Sequence, residues 1–245
     1  MALIGLKGGG YVTAKKLEAV GKMGADAVGK TAAEVDELLA HVNPFADVAL
    51  APLPSDPALR QKELADQAIV ASWTPEQAIK YYTYYGHNDK VYHVEDANRK
   101  IWKQQPLLPS ELAKLTKLHN ALKPLPTTTG TLHRYLGFHD PAGFSQFIAG
   151  FTPGSTVKMA GFTSTSGSES VSKGFAGMNY FKGAQGVMLK IHATGKQGRN
   201  LSGKSAVSSE QETLFPHGSK FRVLKAGPWT GSDQRIKHYI EIEEA

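Results

Sequence analysis

The sequence predicts an α+β fold with a helical first half and a strand-rich second half. Two observations carry this. Up to residue 122, apolar residues recur at helical spacing between cap signals. After "KPLPTTTG" (123–130) they fall into short β-type runs broken by Gly and Pro. Strands gathered in one part of a chain pair mostly antiparallel. A chain of 245 residues, 41% of them hydrophobic, can bury one sizeable core, with or without a small appendage.

Residues 12–41 are rich in Ala, Lys, Glu and Leu and predict one or two helices. Thr31 and Glu34 have capping-box spacing, and Leu38, Leu39 and Val42 continue an apolar face. Four prolines from Pro44 to Pro57 then mark a boundary. Residues 58–71 predict a helix. In "SWTPEQAIKYYTYYG", Thr74 is the expected N-cap, Pro75 is N1, Gln77 is N3 and Gly86 is the stop. A short helix in "VEDANRKIWKQ" and another over 110–122, capped by Ser110, complete the helical part. The β-type runs are "TLHRYLGF", "STVKMAGFTSTS", "QGVMLKIHA", "ETLFP", "SKFRVLKAG" and "IKHYIEIEE", with a helix expected in "SESVSKGFA". The expected organisation is a helical segment 1–55 followed by a domain 58–245, helical over 58–122 and β-rich over 130–245.

The charge of +6 and pI of about 9.3 suit an anionic ligand, an acidic partner or nucleic acid. The basic residues are scattered rather than massed, which argues against nucleic acid. Cysteine is absent, which excludes disulfides, thiolate metal sites and a cysteine nucleophile. No apolar run reaches the ~20 residues needed to cross a bilayer. The start, "MALIGLKGGGYVTAKK", lacks the basic and apolar regions of a signal peptide. An exported protein of this kind would use another route, or the sequence is a piece of a larger polypeptide. The nine histidines show no HExxH or comparable ligand spacing, so no metal is expected. Neither GxGxxG after a strand nor GxxxxGK[ST] is present.

Three places carry chemistry. Arg134 lies inside an apolar run, either snorkelling from an edge strand or offering a fixed fork to phosphate or carboxylate. Ser164, Thr165 and Ser166 follow Phe162 at the end of a strand-like run, where hydroxyls cap a turn or steer a neighbouring carboxylate. Glu210 and Glu212 stand two apart before "TLFPHGSKFRV", a spacing that on a strand puts both acids on one face, where they repel.

The order of the three is more specific than any one of them. A strand arginine, then aromatic-x-Ser-Thr-Ser, then Glu-x-Glu resembles the Arg–Ser–Glu class of mono-ADP-ribosyltransferase toxins and effectors, which includes the enzymatic components of clostridial binary toxins. "FPHGSKFRV" is similar to the strand-turn-strand after the family's glutamates. "SWTPEQAIKYYTYYG" and "VEDANRKIW" look like its upstream helices, with Tyr82 and Asn98. The resemblance covers roughly residues 60–245. It departs where the arginine reads Leu-His-Arg-Tyr-Leu-Gly rather than Arg-Gly. It also departs where "SGKSAVSSE" lacks the aromatic of many actin-modifying members, which argues against an actin target.

The resemblance implies a bent, split β-sandwich with flanking helices and NAD in the cleft between its sheets. It implies cleavage of the nicotinamide–ribose bond and transfer of ADP-ribose to a protein arginine. In its terms Glu212 stabilises the developing positive charge, Ser164 orients Glu212, and Thr165 and Ser166 brace the strand end. Arg134 holds the NAD diphosphate, Phe162 and Phe175 lie near nicotinamide or in the core, and Tyr82 and Asn98 face the dinucleotide. Glu210 would meet a guanidinium acceptor. The implied setting is a toxin or effector secreted or injected into target-cell cytoplasm, with a delivery partner docking through residues 1–55. Paired acids also serve glycoside hydrolases, and the ~6.5–7 Å step of an i,i+2 pair is compatible with that. That reading leaves the arginine and hydroxyl run unused. A catalytically silent interaction module of the same fold is the other alternative, and NAD hydrolysis distinguishes it.

Overall fold

The computed structural model describes residues 44–84, 86–177 and 185–245, so the helices expected within residues 12–41 lie outside the described residues. Helix α1 (Pro57–Ala71) starts where the Asp56 carboxylate accepts from Leu59 N at 2.9 Å. Helix α2 (Pro75–Thr83) has the expected capping box. Thr74 Oγ1 accepts from Gln77 N at 3.2 Å, and Gln77 Oε1 accepts from Thr74 N at 2.8 Å. It stops at Thr83, three residues before Gly86. Helix α3 (Val94–Trp102) follows a 3-10 turn at Lys90–Tyr92.

Helix α4 (Pro109–Leu122) begins one residue earlier than expected, with Leu108 at the N-cap. Ser110 is therefore not the cap. Its N–H and hydroxyl both donate to Glu63 of α1, each at 2.7 Å, so a buried carboxylate from another helix satisfies this terminus. Ile79, Val94, Ile101, Leu115, Leu118 and Leu122 fill the space among the helices.

Seven strands form the second half: β1 (Thr127–Phe138), β2 (Thr156–Lys158), β3 (Thr163–Ser166), β4 (Gln185–Asn200), β5 (Glu212–Phe215), β6 (Lys220–Pro228) and β7 (Ile236–Glu244). Their order is β1-β3-β5-β4-β7-β6-β2, with β1 also paired to β4. Pairing is antiparallel except between β4 and β7. The run "STVKMAGFTSTS" is not one strand. It breaks at Gly161 (φ +71°), leaving β2 on β6 and β3 on β5. That break carries the chain from one sheet to the other.

β1, β3, β5 and β4 close on themselves. β1 and β4 pair along their length, β3 and β5 pair fully, and β5 meets only the end of β4, at Arg199 and Asn200. β1 and β3 meet at His133↔Ser166. Beyond that point they part, and the parting is the split in the sandwich. The core packs Leu132, Val187, Leu189, Ile191, Phe215, Phe221, Ile240 and Ile242. Helix α5 (Pro141–Ala149), capped by Asp140, adds Phe144 against this cluster. Sequence reading missed α5, although Asp140-Pro141 is a start signal. Helix α6 (Glu169–Gly177) follows β3.

Ala49–Ala245 forms one compact unit. Ala51 N donates to Leu107 O at 2.8 Å and Leu107 N to Ala49 O at 2.9 Å. The compact unit thus begins inside the proline-rich stretch, ahead of the expected start at residue 58.

Candidate active site

Alternation along β1 puts Arg134 on the same face as Leu132 and Leu136, the face turned to the core. Where β1 leaves β3, the Arg134 guanidinium spans the gap and Nη1 donates to Ser164 O at 2.5 Å. Nη1 thus props the split, while Nε is buried with no hydrogen-bond partner. Ser164 in turn donates its hydroxyl to Glu212 Oε1 at 2.7 Å. Arg134, Ser164 and Glu212 therefore form one chain of contacts across β1, β3 and the start of β5.

Glu212 is 6% exposed, and its Oε2 is buried and unpartnered. Burial raises its pKa, opposed by the hydroxyls of Ser164 and Ser205 and the charge of Arg134, and the net direction is upward. A buried carboxylate with one oxygen fixed and the other unsatisfied is poised for a donor or a cation.

Glu210 does not share a strand with Glu212, so the expected common strand face is corrected. Glu210 ends a 3-10 turn (Ser208–Glu210), and Gln211 is left-handed at φ 47°, ψ 44°. This conformation costs a non-glycine residue roughly 1–2 kcal/mol. Neighbouring contacts hold it. Gly167 N donates to Gln211 O at 3.3 Å and Ser166 Oγ to Glu210 O at 2.6 Å. The twist lets two acids converge that a regular strand would stack in a row. Burial, then the charge of Glu212, pushes Glu210 up to about 7.

The other expected residues divide into groups. Thr165 donates to Thr213 O at 2.8 Å and, like Ser166, braces β3 against the segment carrying the glutamates. Phe162 is fully buried and belongs to the interior, with its ring 6.1 Å from that of Tyr82. Asn98 spends its amide on the Phe162 backbone. Oδ1 accepts from N at 2.6 Å and Nδ2 donates to O at 3.0 Å. It therefore fixes the approach to β3 instead of offering its amide to a ligand. Tyr82 is buried, and burial followed by the charge of Glu212 raises its pKa. Phe175 lies in α6, but its side chain is outside the described residues.

Sequence reading missed three contributors. His217 Nδ1 accepts from Gly161 N at 2.8 Å, and Trp102 Nε1 reaches Phe162 O at 3.4 Å. Both act with Asn98 to set where β3 begins. Glu95, one turn before Asn98 on α3, has a buried Oε2 with no hydrogen-bond partner, and its charge is felt by Glu212 and Tyr82. Its spacing from Asn98 was the available signal. Among the described residues, no group of three or more His, Asp or Glu is placed to hold a metal. No described helix is long and apolar enough to cross a membrane.

Residues 113–244 match the family described as ADP-ribosyltransferase exoenzyme. A Mycobacterium avium (strain 104) protein named "Putative NAD(+)--arginine ADP-ribosyltransferase Mav" is 36% identical over 126 residues, covering 50% of this chain and 14% of that protein. This chain thus corresponds to a small part of that relative's length. Among solved structures, the ADP-ribosyltransferase Vis, from Vibrio splendidus, superposes with a TM-score of 0.54 at 19% identity, covering 83% of this chain and 90% of that one. The type III effector XopAI of Xanthomonas axonopodis pv. citri gives 0.52 at 16% identity, covering 86% and 90%. At these identities the likeness concerns the fold.

Proposed function

Because the chain belongs to the ADP-ribosyltransferase exoenzyme family, we propose that it moves ADP-ribose from NAD to an arginine of a target protein and releases nicotinamide. The observation that carries this reading is the Ser164–Glu212 bond at 2.7 Å beside a second acid, Glu210, poised at about 7.

In this reading NAD is the substrate, and Arg134 holds its diphosphate. A planar, permanently charged fork suits that task better than lysine. Glu212, with Oε1 fixed by Ser164, turns Oε2 to the 2′-hydroxyl of the nicotinamide ribose and stabilises positive charge at the anomeric carbon. The carbon–nitrogen bond breaks, and its electron pair leaves with nicotinamide. An acceptor nitrogen then bonds to that carbon. A guanidinium must lose a proton to attack, and Glu210 takes it. The Glu-x-Glu pattern, like that of the clostridial binary enzymes, favours arginine as acceptor. Gln211 is the middle residue and is not the first residue of a Gln-x-Glu pair.

The test is incubation with labelled NAD and a target-cell lysate, followed by mapping of the modified residue by mass spectrometry. Label on arginine supports the reading; label on asparagine or a nucleobase overturns it. Glu210→Gln should retain most NAD hydrolysis and lose arginine labelling, because water needs little activation to capture the cation. The parent's labelling rate should fall as pH drops through about 7, where Glu210 takes up its proton before the reaction, and hydrolysis should not share that limb. A labelling profile flat from pH 6 to 8 would remove Glu210 from the role of base.

The reading extends to a toxin or effector acting in target-cell cytoplasm, with residues 1–55 receiving a delivery partner. Ala49–Ala245 packs as one unit, which supports separating catalysis from the N-terminal segment. A chain starting at Ala49 should hydrolyse NAD within about threefold of the full chain. A folded product without turnover would show that the first 48 residues take part in catalysis.

A further inference from the structure

The last two residues of α2 reach both halves of the site. Tyr82 packs beside Phe162, and its pKa registers the charge of Glu212. Thr83, 8% exposed, donates its hydroxyl to Ile79 O at 3.2 Å and accepts from Ala206 N at 2.9 Å. Ala206 lies in the loop of residues 201–211, which joins β4 to β5 and carries Glu210. The two ends of this loop are tied to the sheet. Leu201 N donates to Glu212 O at 2.9 Å, and Ser166 and Gly167 hold Glu210 O and Gln211 O. The remaining backbone bonds described for it, such as Lys204 N and Ser205 N to Leu201 O, are internal. The Thr83 hydroxyl is thus what fastens the middle of the loop to a helix.

Resting on the transferase reading above, we infer that Thr83 is a positioning residue for the acceptor step. Its hydroxyl holds the loop in the conformation in which Glu210 meets the acceptor. Glu212 does not depend on it in the same way. Ser164 and the β3–β5 pairing fix Glu212, whereas Glu210 sits on the loop side of left-handed Gln211. Ala206 is exposed, so water can satisfy its N–H when the bond to Thr83 is lost. Loss of the bond should therefore loosen the loop without unfolding the protein.

The test compares the parent with Thr83→Val, which keeps the shape and removes the acceptor oxygen, and with Thr83→Ser, which restores it. The readouts are NAD hydrolysis without acceptor, transfer to agmatine as a small guanidinium probe, and the melting temperature. Thr83→Val should hydrolyse NAD within about twofold of the parent and transfer about tenfold less well, in proportion to one lost hydrogen bond of about 1.4 kcal/mol. Thr83→Ser should transfer nearly as the parent does. Unchanged transfer in Thr83→Val overturns the inference. So does an equal fall in hydrolysis and transfer, with or without a lower melting temperature, because it marks a merely structural hydroxyl. A parent that hydrolyses NAD but modifies neither agmatine nor any protein arginine defeats the transferase reading itself, and this inference with it. That failure is seen before any variant is compared.

Discussion

Glu212→Gln should abolish both NAD hydrolysis and ADP-ribose transfer while leaving the protein folded. The substitution keeps the shape and removes the charge. Glu212 is the acid held by Ser164 and placed where positive charge would develop, so both outcomes of NAD cleavage depend on it. Loss of one such electrostatic contact typically costs ~10²–10³ in turnover. The sign of its effect on stability separates chemistry from folding. Burial raises the folded-state pKa of Glu212 above its unfolded value. A carboxylate shifted this way lowers stability as pH rises from the unfolded pKa to the folded one. Replacing it by a neutral amide removes that penalty at neutral pH, so the melting temperature of Glu212→Gln should match or exceed the parent's. Turnover above a tenth of the parent's would remove Glu212 from the centre of the reaction. An inactive variant that melts well below the parent would show that the carboxylate holds the fold. Glu212→Ala serves as the second variant, and it too should be inactive.

How much of this was legible in the sequence depended on how local each signal was. The capping box at Thr74 and Gln77 and the α+β division were readable because near neighbours set them. The start of α4 was misread because its terminus is satisfied by Glu63, 47 residues away. The run through Gly161 looked like one strand because its side chains alternate, and only the pairing partners reveal the break. In the site, the residue types of Arg134, Ser164 and Glu212 followed from a motif order. The relation of Glu210 to Glu212 did not, since an i,i+2 rule presumes regular strand and Gln211 is left-handed. Asn98, Trp102 and His217 converge on Gly161 and Phe162 from separate segments. No spacing in the sequence encodes that convergence, so their positioning role appears only in three dimensions.

Arg134→Ala should act chiefly on dinucleotide affinity. The guanidinium uses Nη1 on the Ser164 carbonyl, and its Nε is buried without a partner. A buried donor left unpaired costs about 1–3 kcal/mol, which a phosphate oxygen would return on binding. Truncating a charged, desolvated contact of this kind costs ~2–5 kcal/mol, so the Kd for NAD should rise by ~30-fold or more. ADP-ribose shares the diphosphate and lacks nicotinamide, so its Kd should rise by a similar factor. Calorimetric titration of both ligands measures this directly. Arg134→Lys keeps a charge but not the fork, and one ammonium cannot both prop Ser164 O and take the diphosphate in the same geometry. It should therefore recover only part of the loss. Because the arginine also bridges β1 and β3, the melting temperature must be followed alongside. A variant that melts lower yet binds NAD and ADP-ribose as the parent does would make Arg134 a strut across the split and nothing more.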